Sequence, residues 1–352
     1  MAKLCSLLFL LSLSLNYYSF TCLSMSRKNM TTDESSLLAF KSSITLYPSL
    51  MFNTWSTSSS LCTWVGVTCD EQQHGRVIAL DLNNMGLKGV ISPQLGNLSF
   101  LVYLNLQGNG FTGELPQSLF RVHRLEFLDL SCNEFVGGIP IEVGDLSKLQ
   151  YMNLGSNKLS GTIPQTISKL SSLVEIHLDN NSLSGMYVVE LLLTYLMYLF
   201  FSDFSNCAKG EIPKEMGDLT QLMTMDLKYN QLSGKIPSII FNNSLLQYFI
   251  LAHNNLSGNL PSNICKGLPN LATLYISYNK FSGDMPTVWH QCANLEVLSL
   301  SFNGFNKGPI PEDMGNLSKL HYLDLSKNNL DGKIYFLYHI NCSSLVSIFT
   351  FS

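Results

Sequence analysis

The chain has 352 residues, of which 13% are charged and 46% are hydrophobic, and its formal net charge at pH 7 is -4. This balance excludes a basic surface that would hold nucleic acid, and it excludes an acidic interaction tail. The length by itself suggests two or three domains, unless the chain is an array of repeats.

The first 24 residues are typical of a secretory signal peptide. Lys3 precedes an apolar run over residues 4–15, and a small-residue exit follows near Ser24. The run is too short to span a bilayer, so we interpret it as a signal peptide instead of a membrane anchor. The mature chain is therefore predicted to be secreted.

Secretion changes how the nine cysteines are interpreted. Cys5 and Cys22 leave with the signal peptide, and seven cysteines remain in an oxidising compartment, where an odd number leaves at least one thiol unpaired. Secretion also makes the seven N-x-S/T sequons candidate glycosylation sites. They lie at Asn29, Asn97, Asn180, Asn242, Asn255, Asn316 and Asn341.

Residues 31–44, TTDESSLLAFKSSI, predict an amphipathic helix. Thr31 and Glu34 have the spacing of a capping box, which satisfies free N–H groups in the first helical turn. The apolar residues that share one face of this helix are Leu37, Phe40 and Ile44.

From Val77 onward the chain repeats the phrase L-x-x-L-x-L-x-x-N in steps of 24 or 25 residues. A period of this size is typical of a solenoid, in which each unit buries its apolar face against its neighbours. The alternating leucines predict a short strand in each unit, and neighbouring strands are expected to form one parallel sheet. Eleven units are predicted, starting at Val77, Leu101, Leu125, Leu149, Leu173, Tyr198, Leu222, Leu246, Leu271, Leu295 and Leu320.

The ninth position of the phrase is asparagine in every unit except the first, which has Met85. A buried amide must find hydrogen-bond partners, so we interpret this ladder as structural. After it, glycine and proline predict a tight bend and an extended exit, followed by a short helical or 3₁₀ return on the convex side. The ladder consists of Asn109, Asn133, Asn157, Asn181, Asn206, Asn230, Asn254, Asn279, Asn303 and Asn328.

The extended phrase L-x-x-L-x-L-x-x-N-x-L-x-G-x-I-P resembles the plant extracellular leucine-rich repeat of receptor-like kinases and receptor-like proteins. The likeness covers residues 31–334 and is closest to ectodomains of the innate-immunity type. It implies an α/β repeat fold, a right-handed leucine-rich repeat solenoid with short parallel strands on its concave face. It also implies that residues 25–76 form a helical N-terminal cap and that residues 77–334 hold the repeats.

The same resemblance implies a disulfide between Cys62 and Cys69 in the cap. A metal pair is the competing interpretation, but the secreted context and the lack of nearby histidines favour the disulfide. Cys265 and Cys292 lie about one repeat apart, so a bridge between adjacent turns is possible, and Cys132 is predicted to be exposed and free. The pairing of Cys207 and Cys342 stays open.

The implied function is extracellular recognition of a peptide or a microbial pattern on the concave face, together with a leucine-rich repeat co-receptor kinase. Relatives continue through a membrane span and a Ser/Thr kinase, and residues 335–352 contain neither a span nor kinase motifs. The seven histidines show no metal-ligand spacing and no triad motif. We therefore predict no enzyme activity, cofactor, metal or nucleic-acid partner. The alternatives are a secreted protein similar to polygalacturonase inhibitors and an inactive truncated receptor fragment.

The phrase breaks once inside the array. After Gly185 the expected Ile-Pro return is replaced by an apolar stretch over residues 186–209, and the phrase resumes with Gly210 and Pro213. A membrane span is disfavoured because the apolar run is short and contains Glu190. We predict a degenerate sixth unit that stays in the solenoid but packs poorly and exposes an apolar face.

The final residues, 335–352, are predicted to be an irregular apolar tail. An uncovered last repeat exposes strand edges and leucines. A makeshift lid over that end is one interpretation, and a chain truncated within the array is the alternative. The lid residues are Phe336, Leu337, Ile340 and Leu345.

Strand alternation, together with the geometry that the family resemblance implies, predicts that positions three, five, seven and eight of the phrase face outward on the concave side. The residues that contact a ligand are predicted there. Position eight carries an aromatic ladder in units seven to ten, formed by Tyr229, His253, Tyr278 and Phe302. Position three carries a second ladder in units two to four, formed by Tyr103, Phe127 and Tyr151. Exposed aromatic residues on a rigid surface favour recognition, although they also support neighbouring strands.

Three charged residues, Asp226, Lys228 and Asp324, are predicted either to hold charged groups of a ligand or only to be solvated. Asn180 lies at position eight of unit five, where a glycan would cover the concave surface. This position favours units seven to ten as the open binding surface.

Overall fold

A computed structural model describes residues 31–48, 51–72, 74–184, 210–330 and 347–349. Several sequence predictions therefore lie outside the described residues. They concern the signal peptide, the sequons at Asn29 and Asn341, the stretch 186–209 with Asn206 and Cys207, and Phe336, Leu337, Ile340, Cys342 and Leu345.

The predicted solenoid is confirmed, and its main sheet contains twelve strands among the described residues. The first two strands are antiparallel, and each later strand pairs in parallel with the strand of the preceding unit. The leucines that alternate along the strands are fully buried, as the phrase predicts; Leu104 and Leu106 are 0% exposed. The strands are Val67–Asp70, Arg76–Asp81, Tyr103–Asn105, Phe127–Asp129, Tyr151–Asn153, Glu175–His177, Thr224–Asp226, Tyr248–Ile250, Thr273–Tyr275, Val297–Ser299, Tyr322–Asp324 and Ser347–Phe349.

A second layer of short strands follows the ninth position of units one to five and seven to ten and, with one strand from the cap, forms two lateral sheets. The six-stranded sheet contains Ile44–Leu46, Lys88–Val90, Gly110–Glu114, Glu134–Gly137, Lys158–Gly161 and Ser182–Leu183. The four-stranded sheet contains Ser233–Lys235, Asn255–Gly258, Lys280–Gly283 and Gly304–Phe305.

The convex side consists mainly of 3₁₀ turns, because proline at the exit of a unit fixes an extended backbone just before the turn. The cap contributes a helix over residues 31–42 and two 3₁₀ turns, Met51–Thr54 and Leu61–Thr63. The 3₁₀ returns are Pro93–Asn97, Gln117–Arg121, Ile141–Asp145, Gln165–Lys169, Lys214–Asp218, Ser238–Asn242, Trp289–Gln291 and Glu312–Asn316, and the short α-helix Ile264–Gly267 takes the same place in unit eight.

The asparagine ladder has the predicted structural role. In each pair of turns the side-chain amide donates to carbonyls of its own unit and the preceding one, and its oxygen accepts a backbone N–H. Asn133 Nδ2, for example, donates to Leu106 O at 2.9 Å and to Leu130 O at 3.1 Å, while Phe111 N donates to Asn133 Oδ1 at 3.0 Å. These bonds fix the spacing of adjacent turns.

Unit six is not a member of the strand row. The strand of unit five, Glu175–His177, pairs directly with that of unit seven, Thr224–Asp226. The ladder crosses the same boundary, because Asn230 Nδ2 donates to Leu178 O at 2.9 Å. The prediction of a sixth unit stacked in the solenoid was therefore wrong, and ten repeat strands stand in the described residues. The physical reason is that position six, a buried leucine or isoleucine elsewhere, would be Asp203, whose carboxylate is costly to bury.

The interruption lies within a lateral strand of unit five. Gln231 N donates to Leu183 O at 3.0 Å, and Ser233 N donates to Gly210 O at 2.8 Å. Alternate N–H groups of one parallel strand bond alternate carbonyls of its neighbour. Gly210 therefore takes the place of Gly185 in an uninterrupted unit, and the residues between them are an insertion.

The return of unit five comes from the chain after the insertion. Glu211 forms a parallel bridge with Ser233, Ile212 is 2% exposed, and Pro213 precedes the turn Lys214–Asp218. The sequence on the two sides of the insertion thus completes one ordinary unit.

The prediction of an irregular tail was wrong for Ser347–Phe349. This segment pairs in parallel with Tyr322–Asp324 and extends the main sheet by one strand. It lies one repeat length after the strand of unit eleven, because Leu345 follows Leu320 by one step of the phrase. The tail therefore continues the repeat pattern.

The cap is joined to the first repeat by a buried ion pair that the sequence analysis missed. Arg76 Nε and Nη2 donate to the two oxygens of Asp33, each at 2.8 Å, and Val77 N donates to Asp33 Oδ2 at 3.0 Å. The side chains are 6% and 0% exposed. Residues 31–42 are helical, so Thr31 lies within the helix and does not precede it. In this first part of the helix, Asp33 is the acidic residue that bonds the first repeat.

The other side chains of the cap behave as predicted. The helical face is buried, and Ile44, although it starts the strand Ile44–Leu46, is only 5% exposed. Cys62 and Cys69 form the predicted disulfide, with 5.5 Å between their Cα atoms.

Candidate ligand-binding face

The position-eight ladder is one continuous stack of rings on the outer side of the main sheet. The centroids of Tyr229 and His253 lie 4.2 Å apart, those of His253 and Tyr278 lie 4.1 Å apart, and those of Tyr278 and Phe302 lie 4.0 Å apart. Adjacent rings differ in orientation by only 12° or 13°. Tyr229 and Tyr278 are 44% and 41% exposed, so the stack faces solvent.

Every ring of this ladder stands on a residue with a left-handed backbone. Their φ angles lie between 52° and 55°, a region that costs a non-glycine residue roughly 1–2 kcal/mol. The conformation is held between repeats, since Tyr278 N donates to Ser301 O at 2.9 Å and Asn254 N donates to Tyr278 O at 3.1 Å. Asn84, Asn180 and Gly108 adopt the same left-handed conformation at position eight of other units. The repeat fold therefore imposes this backbone conformation whether or not the residue carries an aromatic ring.

The stack exposes the edges of its rings. Face-to-face packing at about 4 Å covers both faces of His253 and Tyr278, and each end ring has one covered face. Ring edges carry the positive part of the aromatic quadrupole, and the tyrosines add hydroxyl groups. A ligand that binds by laying flat rings on aromatic faces thus finds such a face only at the two ends.

The position-three ladder also assembles, in the N-terminal half of the sheet. Tyr103 and Phe127 have centroids 4.4 Å apart, and Phe127 and Tyr151 have centroids 4.5 Å apart. These rings are half-buried, and the Tyr103 and Tyr151 hydroxyls accept hydrogen bonds from Asn105 and Asn153. Burial raises the pKa of Tyr151 above its ordinary value. The hydroxyl groups of the position-three ladder are thus engaged in hydrogen bonds within the protein.

The charged residues proposed to hold a ligand are also engaged internally. Asp226 is 5% exposed; its Oδ1 accepts from Lys228 N at 3.1 Å and its Oδ2 lies 2.5 Å from Lys228 Nζ. Asp324 Oδ1 accepts from Ser326 N at 3.1 Å and from Ser326 Oγ at 2.7 Å. The two carboxylates therefore stabilise turns of the protein itself, and Lys228 neutralises the charge of Asp226.

A polar cluster missed by the sequence analysis lies where units five and seven meet. His177, Asp179 and Asp226 place one possible ligand atom each within 4.8 Å of one another, the one such group found among the described residues. Burial, and then the charge of Asp226, raises the pKa of Asp179. Burial lowers the pKa of Lys228, but its hydrogen bond to Asp226 and the nearby carboxylates raise it overall. Lys228 thus supplies the cation that this cluster requires.

This cluster was missed because the predicted sixth strand would separate its members. With that strand absent, His177 and Asp226 become register partners. The signal was present in the sequence: LSG before the insertion and EIP after it, at residues 183–185 and 211–213, form one standard phrase when they are joined.

The remaining predicted sites are the sequons and the cysteines of the repeats. The described sequons Asn97, Asn180, Asn242, Asn255 and Asn316 are all exposed, and only Asn180 among them lies at a concave position of the phrase. Cys265 and Cys292 form a disulfide between adjacent convex returns, which settles the pairing that the sequence left open. Cys132 is exposed and free, as predicted.

Family profiles match the chain at its cap and along its repeats. A profile for the leucine rich repeat N-terminal domain matches residues 30–70. Two leucine rich repeat profiles match residues 100–122, 124–146, 140–183, 221–243, 244–305 and 294–317. The chain belongs to the leucine-rich repeat family. Residues 184–220, which contain the insertion, form the longest unmatched stretch between these repeat matches.

The relatives of this leucine-rich repeat protein are plant receptor-like kinases. A putative receptor-like protein kinase of Arabidopsis thaliana is 41% identical over 96 residues, which are 27% of this chain and 9% of the relative. The solved ectodomain of the Arabidopsis receptor kinase GASSHO1/SCHENGEN3, in complex with CASPARIAN STRIP INTEGRITY FACTOR 2, is 32% identical with a TM-score of 0.77. The match covers 90% of this chain and 35% of that ectodomain.

A second solved ectodomain shows the same likeness. The Arabidopsis receptor kinase HAESA, in complex with the peptide hormone IDA and the co-receptor SERK1, is 29% identical with a TM-score of 0.74. The match covers 91% of this leucine-rich repeat chain and 49% of the HAESA chain in that structure. The chain thus spans half or less of the length of these relatives. In the part that the structure describes, the helices are too short or too polar to cross a lipid bilayer.

Proposed function

We propose that this chain is an extracellular ligand-recognition module of the plant receptor-like kinase or receptor-like protein class. It binds a peptide or microbial pattern on its concave face at units seven to ten and works with a leucine-rich repeat co-receptor kinase. HAESA, which shares this fold, is complexed with a peptide hormone and a co-receptor. The function is recognition without catalysis, at the outer face of the plasma membrane or in the extracellular space.

The observation that carries this proposal is the exposed position-eight ladder. Four rings stand side by side on a rigid sheet, each on a backbone conformation that disfavours bulky residues. A large aromatic surface whose position is fixed before binding loses little entropy when a ligand arrives. Because the ring faces are covered, the ladder suits an extended peptide that runs along ring edges better than a ligand of stacked sugar rings.

The test uses a phage-displayed library of random linear peptides, selected on the secreted full chain. The Kd values of enriched synthetic peptides are then measured for the wild type and for the double variant His253→Asn/Tyr278→Asn. Asparagine is the suitable replacement because Asn84 and Asn180 tolerate the same left-handed backbone at position eight. A loss of two central anchors is expected to weaken binding by about 2 kcal/mol, or roughly thirty-fold.

The matched control is Tyr103→Asn/Tyr151→Asn, which removes two rings of the other ladder and should leave Kd unchanged. Two results would overturn the proposal. One is a library that yields no peptide binding above a surface without protein. The other is peptides whose affinity for the folded double variant equals the wild-type affinity, accompanied only by a lower Tm.

A further inference from the structure

Most repeat strands of the main sheet end in a side-chain cap. The carbonyl oxygen of asparagine, or a carboxylate oxygen of aspartate, at position five accepts the backbone N–H of position seven, two residues later. Six of the ten described repeats have this bond, at distances of 2.9 to 3.3 Å. The capping residues are Asp81, Asn105, Asp129, Asn153, Asp226 and Asp324.

Four described repeats lack this cap: unit five, where position five is His177, and the consecutive units eight to ten, which are three of the four units under the ladder. Position five is Ile250 in unit eight, Tyr275 in unit nine and Ser299 in unit ten. These side chains do not bond the following N–H groups. Within the described residues, no acceptor is found for the N–H groups of the position-seven residues Ala252, Ser277 and Ser301. Units eight to ten therefore carry a row of free donors.

Two buried hydroxyl groups extend this row. Ser277 Oγ and Ser299 Oγ have no hydrogen-bond partner, although both residues are only 1% exposed. Elsewhere the serine at position seven is satisfied, since Ser131 Oγ donates to Asp129 Oδ1 at 2.6 Å. Other unpartnered buried atoms among the described residues, those of Glu142, Glu215, Trp289 and Asp313, lie in the convex returns. Buried polar groups normally have partners, so the unpaired groups that follow one another along the main sheet in units eight to ten require an explanation.

We infer that units eight to ten recognise hydrogen-bond acceptors, namely the main-chain carbonyl oxygens of an extended peptide that lies along the ladder. This inference rests on the proposed function and names the groups that the face binds. The free N–H groups can only donate, and the exposed ring edges also favour negative partial charge. A neutral carbonyl is favoured over an anion because Asp324 is the register partner of Ser299.

Access to these donors requires movement of side chains. Ala252, Ser277 and Ser301 are at most 1% exposed, and the next residue of the chain in each case is a ladder ring. The rings are therefore the side chains that shift when a peptide carbonyl reaches the donors. Until then the donors stay unpaired, and pairing them within the protein should stabilise the free chain.

The experiment installs the missing caps. Ser299→Asn and Ile250→Asn, made separately, place at position five the residue that caps units two and four. Each variant should raise Tm by about 2–4 °C, because an unpaired N–H gains an acceptor. Each should also weaken the phage-selected peptides by about three- to ten-fold, because a donor is removed from the face. Asp129→Asn, which exchanges one cap for another in unit three, is the control and should leave Kd unchanged.

A Kd that stays within about twofold in both variants while Tm rises would overturn the inference, because the caps would then matter only to the fold. Unchanged Tm in both variants would overturn it as well, because the N–H groups would not have been free. The two variants guard against misfolding at one site, since Ile250 is half-buried and Ser299 is buried. If the Kd of the peptides depends on His253 and Tyr278 but is the same with and without the two new caps, only this inference is refuted. The proposed function then still stands.

Discussion

Removing the insertion should stabilise the protein. Excision of residues 186–210 joins Gly185 to Glu211, creates the phrase LSGEIP and reduces the separation of Leu173 and Leu222 from 49 residues to 24. The hydrogen bonds at the junction are retained, because the Gly185 carbonyl takes over the position that Gly210 holds. No buried leucine of a described repeat is removed.

The magnitude follows from the length of the excised loop. Closing a connection of 25 residues costs about 3 kcal/mol of chain entropy, and excision removes that cost. In a chain of this size each kcal/mol shifts Tm by about 2–4 °C, so a rise of about 6 °C or more is expected. The lateral sheets should also become continuous, since the strand of unit five is no longer made from two pieces.

Thermal melts followed by circular dichroism and by scanning fluorimetry measure this change on the secreted chains. The control removes residues 149–172, which form the whole of unit four and are nearly as numerous as the excised residues. That deletion also preserves the repeat phrase, but it discards a set of buried leucines and should lower Tm. If excision of 186–210 lowers Tm as much as the loss of unit four, the inserted residues contribute packing and the assignment of an insertion is wrong.

Two further predictions concern buried charge. Asp33→Asn leaves Arg76 buried without its partner and should lower the free energy of unfolding in urea by about 3–5 kcal/mol; a loss below about 1 kcal/mol would contradict the role of this pair. Asp179→Asn should raise Tm at pH 7 but hardly at about pH 3. Burial and Asp226 raise the folded-state pKa of Asp179 above 3.8, so its ionisation destabilises the fold as pH rises; an equal shift at both pH values would refute this.

The periodic part of the fold could be predicted from sequence because each unit repeats the same pattern of buried leucines and ladder asparagines. Alternating leucines determine the strand, and the ladder asparagines determine the spacing of turns. The cap helix and the pairing of Cys62 with Cys69 were also available, the first from its apolar face and the second from family resemblance. Such features depend on local pattern, which one sequence contains.

Contacts between distant parts of the chain were not available in this way. Asp33 and Arg76 are 43 positions apart and share no motif, so their pairing emerges only when the cap docks on the first repeat. The sixth unit was a different error, because its spacing fitted the period while Asp203 at a core position argued against it. Spacing was given more weight than the cost of burying a carboxylate.

The candidate site was predicted in outline and not in its chemistry. Strand alternation and the geometry implied by the family resemblance placed Tyr229 and its partners on one face, and the structure stacks them. The sequence alone could not show that position eight has a left-handed backbone or that stacking hides the ring faces. The uncapped units were visible in principle, since position five is Asp or Asn in six units and Ile250, Tyr275 and Ser299 break that pattern in succession.

The excised chain also tests whether the binding face is independent of the insertion. Across the junction the main sheet is continuous, with Glu175–His177 paired to Thr224–Asp226, whereas the lateral strands divide there into groups of six and four. The ladder lies on the main-sheet side, and Tyr229 N bonds Ala252 O, a bond that excision does not alter. Peptides that depend on the ladder should therefore bind the excised chain with an unchanged Kd in the same binding assay. A large loss of affinity would place part of the binding surface in the inserted residues and would contradict its assignment to the concave face of units seven to ten.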